Sequence, residues 1–159
     1  MGDLPSANRC GVTAGLLALL FQTGAAWYGA GFTWTMQVLN YPLLALVGRD
    51  SFTAYERSHN QRFIRVVGPG VLVAVISTGV LLVSPPAGVP TAAALLSSLL
   101  LLVIIVATVA FQAPAHGKLA EGFDEQLHAR LVRSNWLRTI CWTLLGMVDL
   151  WMLAQALRA

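Results

Sequence analysis

The chain has 159 residues, 57% of them hydrophobic and only 11% charged, with a mean hydropathy of +0.69. Soluble domains carry about 25% charged residues, so this composition excludes a protein whose whole surface is built for water. The net charge of +3 and a pI near 9.3 call for no nucleic acid, because arginines beside anionic headgroups account for them.

In chain order, Gly11 to Leu39 runs without a charge. Crossing ~30 Å of hydrocarbon takes roughly 20 apolar residues as a helix, and backbone in lipid must satisfy its own hydrogen bonds. Residues 11–40 therefore form a first transmembrane helix. The apolar part is too long for the core of a cleaved signal peptide. Residues 50–65, "SFTAYERSHNQRFIR" from Ser51, place Phe52, Tyr55, His59 and Phe63 at helical spacing and predict an amphipathic interfacial helix. Apolar runs at 66–84 and 91–113 are the second and third spans, joined by the proline-rich, uncharged "SPPAGVPT" turn. A second interfacial helix covers 122–133, and a fourth span covers 135–157, interrupted only by Asp149 within its core. The expected fold is all-α: a single-domain bundle of four transmembrane helices with short interfacial helices.

Arg49, Arg57, Arg62 and Arg65 lie in one polar link, and Lys118, Arg130, Arg133 and Arg138 in the other. Only Arg9 and Arg158 fall on the opposite side. The positive-inside rule then puts both polar links in the cytoplasm and both termini outside an inner membrane.

All three histidines, His59, His116 and His128, fall on that side, with Glu56, Asn60, Arg62, Glu121, Asp124 and Glu125 nearby. Each helix end feeds the same layer. Gln37 and Tyr41 are four apart, as are Gln112 and His116, while Asn135, Arg138, Thr139 and Trp142 open the last span. Unpaired polar groups are costly in a low-dielectric setting, so these should converge on one another, on a ligand or on a metal. His59, His116, His128 and Glu56 are the candidate ligands for copper, iron or zinc, with hydrogen-bonded interface histidines as the plainer alternative and a haem held by two histidines as another. Glu56-x-x-His59 and Glu125-x-x-His128 have the spacing of di-iron bundles, which also need a glutamate from each of two further helices. Those are missing from the membrane helices here. Asp149 is either a proton-relay group or an acid bonded to Gln22 or Thr23. Cys10 and Cys141 form neither a disulfide framework nor a metal motif. Gly24, Gly29 and Gly31 point to close helix approach, and Trp27, Tyr28, Trp34 and Trp151 to packing or an aromatic belt.

On "QVLNYP", "FTAYERSHNQRF", "QAPAHGKLAEGFD" and "LVRSNWLRTICW", the chain resembles the small four-helix bacterial membrane proteins of the anthrone-oxygenase-like family. The resemblance covers residues 11–157. It rests on Gln37, Tyr41, Pro42, Tyr55, His59, Arg62, Gln112, Pro114, His116, Asn135, Trp136, Arg138, Thr139 and Trp142. It implies a membrane oxidoreductase that oxidises a small amphipathic, phenolic or polycyclic substrate with O₂, either at a metal or by a histidine base. His59, His116, Arg62, Arg138 and Tyr41 would then be catalytic, and Gln37, Tyr55, Gln112, Asn135 and Trp142 would bind substrate. The residues also admit two non-enzymatic readings: an accessory subunit facing lipid or a partner, and a small ligand-binding or transport module, which would need a homo-oligomer to enclose a pathway.

Overall fold

A computed structural model describes residues 13–159. Among these it is entirely helical, with 86% of residues in helices and no strand. Four helical rods pack side by side. The first is α1 (Ala14–Thr35), a π-helical turn (Met36–Asn40) and α2 (Tyr41–Leu44). The second is α3 (Arg49–Val83). The third is α4 (Thr91–Ala107), a second π turn (Thr108–Gln112) and α5 (Ala113–Leu119). The fourth is α6 (Glu125–Ala156).

Local chemistry sets the ends. Thr13 Oγ1 accepts from Leu16 N at 3.2 Å to cap α1, and Asp124 Oδ1 accepts from Leu127 N at 2.8 Å to cap α6. Asp124 is thus a cap, not a site residue. Gly88, at φ +76°, makes the tight bend between α3 and α4 that a Cβ would strain. The start of α1, this turn and the C-terminus lie together, with Gly15 against Ser84 O and Gly88 against the Ala159 side chain. The polar links gather at the other end of the bundle.

Three helical segments are long and apolar enough to cross a membrane: Arg49–Val83, Thr91–Leu119 and Glu125–Ala156. Gln22, Thr23 and Thr33, with Gly24, Trp27, Tyr28, Gly29 and Gly31 between them, dilute α1, which falls outside that group. In the most apolar window of α3 only 17% of residues are buried within the protein, so its hydrophobic side chains face outward, as lipid contact requires.

The two segments expected as separate interfacial helices differ in one respect. Residues 50–65 are helical and continue without a break into the rest of α3, and 122–133 are helical only from Glu125, where they form the start of α6. Nothing between Arg65 and Val67, or between Arg133 and Asn135, breaks a helix, and Pro69 is absorbed inside α3. A helix of 35 residues is roughly 50 Å long at 1.5 Å per residue, well beyond the hydrocarbon thickness. The polar ends therefore stand above the apolar layer as extensions of the rods.

α1 is the central strut, packed against both α3 and α6. It meets α6 through reciprocal insertions. A Cβ on Gly29 would lie 2.5 Å from the Trp142 ring, and one on Gly146 would lie 2.9 Å from Trp27. Each helix so offers a glycine to the other's indole, the close approach that small residues permit. Gly24 and Gly31, by contrast, face open space. Trp34 packs edge-on to Trp136 at 5.4 Å and donates to Thr143 Oγ1, while Tyr28 donates to Val66 O.

Candidate functional site at the polar end of the bundle

Both π turns sit directly ahead of an X-Pro step, Tyr41-Pro42 and Ala113-Pro114. Proline lacks an N–H and its ring clashes with the carbonyl four residues back. Widening the turn to i→i+5 relieves that clash: Tyr41 N bonds Met36 O and Ala113 N bonds Thr108 O. Such bulges recur at functional sites because they re-aim the side chains beyond them. Here they deliver Gln37 and Tyr41 from the first rod, and Gln112 and His116 from the third, to one layer.

At the centre is an ion pair. His116 Nδ1 lies 2.5 Å from Glu56 Oε1, with Glu56 fully buried on α3. The Tyr41 hydroxyl is 3.1 Å from Gln112 Oε1 and 3.4 Å from His116 Nε2. Gln112 is held by its own donors, since Nε2 donates to Ser134 Oγ at 2.7 Å and to Leu131 O at 3.4 Å. Its Oε1 can only accept, so the Tyr41 O–H points at Gln112 and offers its oxygen to His116. Both His116 nitrogens then face acceptors, which a doubly protonated ring satisfies. Burial pushes the Tyr41 phenol up to about 12, with the Arg138 charge opposing and Glu56 adding to the rise. Tyr41 is thus a neutral hydroxyl at any physiological pH.

His59 is the contrasting imidazole. It stacks on His116 with ring centroids 5.4 Å apart and 30° between planes, and on Tyr55 at 6.5 Å. Its Nε2 is buried without a hydrogen-bond partner. His59 belongs to the polar part of α3, outside the apolar stretch from Val66. Burial pushes its imidazole below the ordinary value, the neighbouring His116 lowers it further, and Glu56 partly offsets both. A groove of about 430 Å³ opens beside it, lined by Met36, Asn40, Tyr55, His59, Arg62 and Phe63 among others. Two further oxygens in this region, Asn40 Oδ1 and Glu56 Oε2, are also buried and unpartnered.

No known family, curated protein or solved structure matches the chain.

The expected residues therefore separate into groups. Tyr41, Glu56, His59, Gln112 and His116 come together, with Tyr55 and Arg62 on the groove wall. Gln37, Asn135 and Arg138 form an adjoining layer between α1 and α6. There Asn135 Nδ2 donates to Gln37 Oε1 at 2.9 Å, and turning the Gln37 amide over would let its oxygen accept from Trp136 Nε1 and its nitrogen donate to Val132 O. Asn135 Nδ2 bonds Thr33 O and Thr139 Oγ1, and Arg138 Nη1 donates to Asn135 Oδ1 at 3.4 Å. Trp142 packs on Gly29 deeper in the bundle.

Of the four residues named for a metal, Glu56, His59 and His116 come together, but their donor atoms are not arranged around a common point. His128 Nε2 is spent on Tyr41 O at 3.0 Å, and its ring packs on Phe123. Both His116 nitrogens are engaged, and Glu56 binds His116. Of their buried side-chain atoms, His59 Nε2 and Glu56 Oε2 stay unpartnered. Among the described residues, no group of three or more His, Cys, Asp or Glu side chains is arranged to hold a metal ion, and a haem between His59 and His116 meets the same shortage of free nitrogens. The Glu-x-x-His spacing thus pairs differently: Glu56 takes its histidine from another rod, not His59 one turn on.

Asn40 and Ser134 escaped the sequence reading. Asn40 carried one local signal, its place in the "LNYP" step where the helix must widen. Ser134 carried none, since its role depends on Gln112 arriving from another rod. Cys10 lies outside the described residues, and Cys141 is a buried free thiol.

Proposed function

We propose that this chain is an integral membrane oxidase in which His59, without a metal, acts as general base on an amphipathic phenolic or polycyclic substrate that then reacts with O₂. The observation carrying this reading is the free, buried Nε2 of His59 beside a groove wide enough for a ring system. The His116–Glu56 pair behind it supports a neutral His59, because a second positive ring there would face the first. The substrate class and the use of O₂ come from the family resemblance.

The reaction balances as R₂CH₂ + O₂ → R₂C=O + H₂O. His59 Nε2 takes a proton from the activated CH₂. The carbanion gives its electrons to O₂, forming a C–O bond, and protonated His59 returns its proton to the peroxide oxygen to give a hydroperoxide. His59 then takes the remaining C–H proton as the O–O bond breaks and the carbonyl forms, and passes that proton to the departing hydroxide as water. General base catalysis of this kind contributes typically 10²–10⁴-fold. Arg62 on the groove wall is the group able to steady developing negative charge on the substrate oxygen, while the Tyr41 hydroxyl stays committed to Gln112 and His116.

All four rods cross the membrane in this reading. The first supports it by having no charged residue between Arg9 and Arg49. The basic polar end faces the cytoplasm, both termini face outward, and the groove opens at the level where an amphipathic aromatic partitions. Lipid, substrate and O₂ are its partners.

Oxygen uptake by the detergent-purified chain with anthrone as substrate tests the reading. Wild type should exceed buffer and His59→Gln should lose at least about 100-fold of that excess, with circular dichroism unchanged. Full activity in a folded His59→Gln protein would remove His59 from the mechanism.

A further inference from the structure

The polar end holds a charge that the proposed reaction does not use. Arg138 is 3% exposed. Its guanidinium has one side-chain hydrogen bond, the long contact from Nη1 to Asn135 Oδ1, and Nε has no partner. Among the described residues the only ion pair is His116–Glu56, so Arg138 is buried without a carboxylate. Buried charges are ordinarily paired or bound to a ligand, and arginine cannot escape by losing its proton.

Arg138 also lines a partly open pocket of about 160 Å³ at the meeting of all four rods. Its other walls include Phe32, Val71, Ile104, Thr108 and Trp142. An apolar cavity of about 150 Å³ accepts one benzene ring. The groove beside His59 is a different space, sharing only Phe32 with this one.

We infer that this pocket is a binding site for a single-ring aromatic carrying one anionic oxygen group, a carboxylate or phenolate, paired with the Arg138 guanidinium. The ring lies among Phe32, Val71, Ile104 and Trp142, and the anion supplies the counter-charge that the protein omits. The planar guanidinium donates two parallel hydrogen bonds to a carboxylate. A neutral aromatic of the same width fills the same volume but leaves the charge unanswered. The site stands independently of the oxidase reading, since it needs neither His59 nor O₂.

Calorimetric titration of the detergent-purified full chain with sodium benzoate, and separately with benzyl alcohol, tests it. Wild type should bind benzoate once, at least tenfold more tightly than benzyl alcohol. Arg138→Gln should erase that preference, Arg138→Lys should keep part of it, and Val67→Phe, which fills the pocket from α3 without touching the charge, should abolish binding of both. His59→Gln should bind benzoate as wild type does, which separates this site from the oxidase reading. Absence of benzoate binding to wild type, equal affinity for the two probes, or binding indifferent to Val67→Phe would each overturn the inference. The wild-type probe comparison and Val67→Phe decide the matter even if Arg138→Gln does not fold.

Discussion

Two polar nodes sit in this bundle, and they differ in what they leave open. Deep in the apolar layer, Asp149 Oδ1 accepts from Ser97 Oγ at 2.9 Å and from Gln22 Nε2 at 3.4 Å. Gln22 Nε2 also meets Ser97, and Gln22 Oε1 accepts from Thr78. Each rod contributes one residue, and Gln22, Ser97 and Asp149 are at most 1% exposed. Thr23 is not part of it, bonding instead to Leu19 O within its own helix. At the polar end, Glu56, His116, Tyr41 and Gln112 form a second network, drawn from three rods with Gln112 and His116 sharing one. That one borders a groove through His59 and keeps an unpartnered nitrogen there. The first node ties the rods to one another; the second ties them together and also presents a reactive group. Convergence of polar residues from every helix is thus not in itself a sign of chemistry. Asp149 Oδ2 is also buried without a partner, so what separates the two is the groove that His59 lines.

Substitutions that treat the nodes alike should give unlike results. The largest effect on stability is expected from Glu56→Ala, which leaves a charged His116 buried without its partner. Breaking a buried pair from one side costs about 3–5 kcal/mol, and denaturant unfolding in detergent should read it. If Glu56→Ala unfolds like wild type, the ion pair is not holding the polar end together. Asp149→Leu should cost less, about 1–3 kcal/mol, by orphaning the Ser97 and Gln22 donors, and Asp149→Asn should recover most of the loss by keeping an acceptor in place. Oxygen uptake should survive Asp149→Asn, and its disappearance would make the deep node part of the mechanism. Overpacking the α1–α6 contact with Gly146→Ala should cost about 1–3 kcal/mol, since the new methyl meets the Trp27 ring at 2.9 Å.

The smallest expected effect is on pH dependence. His59 titrates below its ordinary value of 6.5, so the neutral base persists as the medium is acidified. The rate should stay level down through pH 6.5 and fall only below it. The same shift favours the folded state above pH 6.5, and that contribution should fade on acidification as the ring takes a proton. A pH–rate profile with its acid limb above pH 6.5 would contradict the buried, His116-facing position of this ring.

Much of the plan was legible because helical periodicity and apolar run length are local. The positions of the long apolar segments, the proline-rich turn and the gathering of polar residues at one end all follow from spacing along the chain. The i, i+4 pairs Gln37–Tyr41 and Gln112–His116 were readable for the same reason. Two local expectations nevertheless failed. The polar segments are extensions of long rods instead of separate interfacial helices, because continuation of a helix needs only the absence of a breaker, whereas a bend needs a cause. Glu56 was read against His59 by spacing, but its partner stands 60 residues away.

By itself, then, the sequence determined that the chain is helical, where its apolar segments run and which end collects the ionisable groups. Tertiary structure decided which of those groups satisfy each other. His116 was committed to Glu56 and Tyr41, His128 to a backbone carbonyl, and His59 Nε2 and Arg138 Nε were left without partners. Helix formation depends on neighbours within four or five residues, while a hydrogen-bond ledger closes only when rods far apart in sequence are packed. The π turns before Pro42 and Pro114 link the two levels: a local steric conflict at each proline rotates the end of its rod, and that rotation chooses the partners.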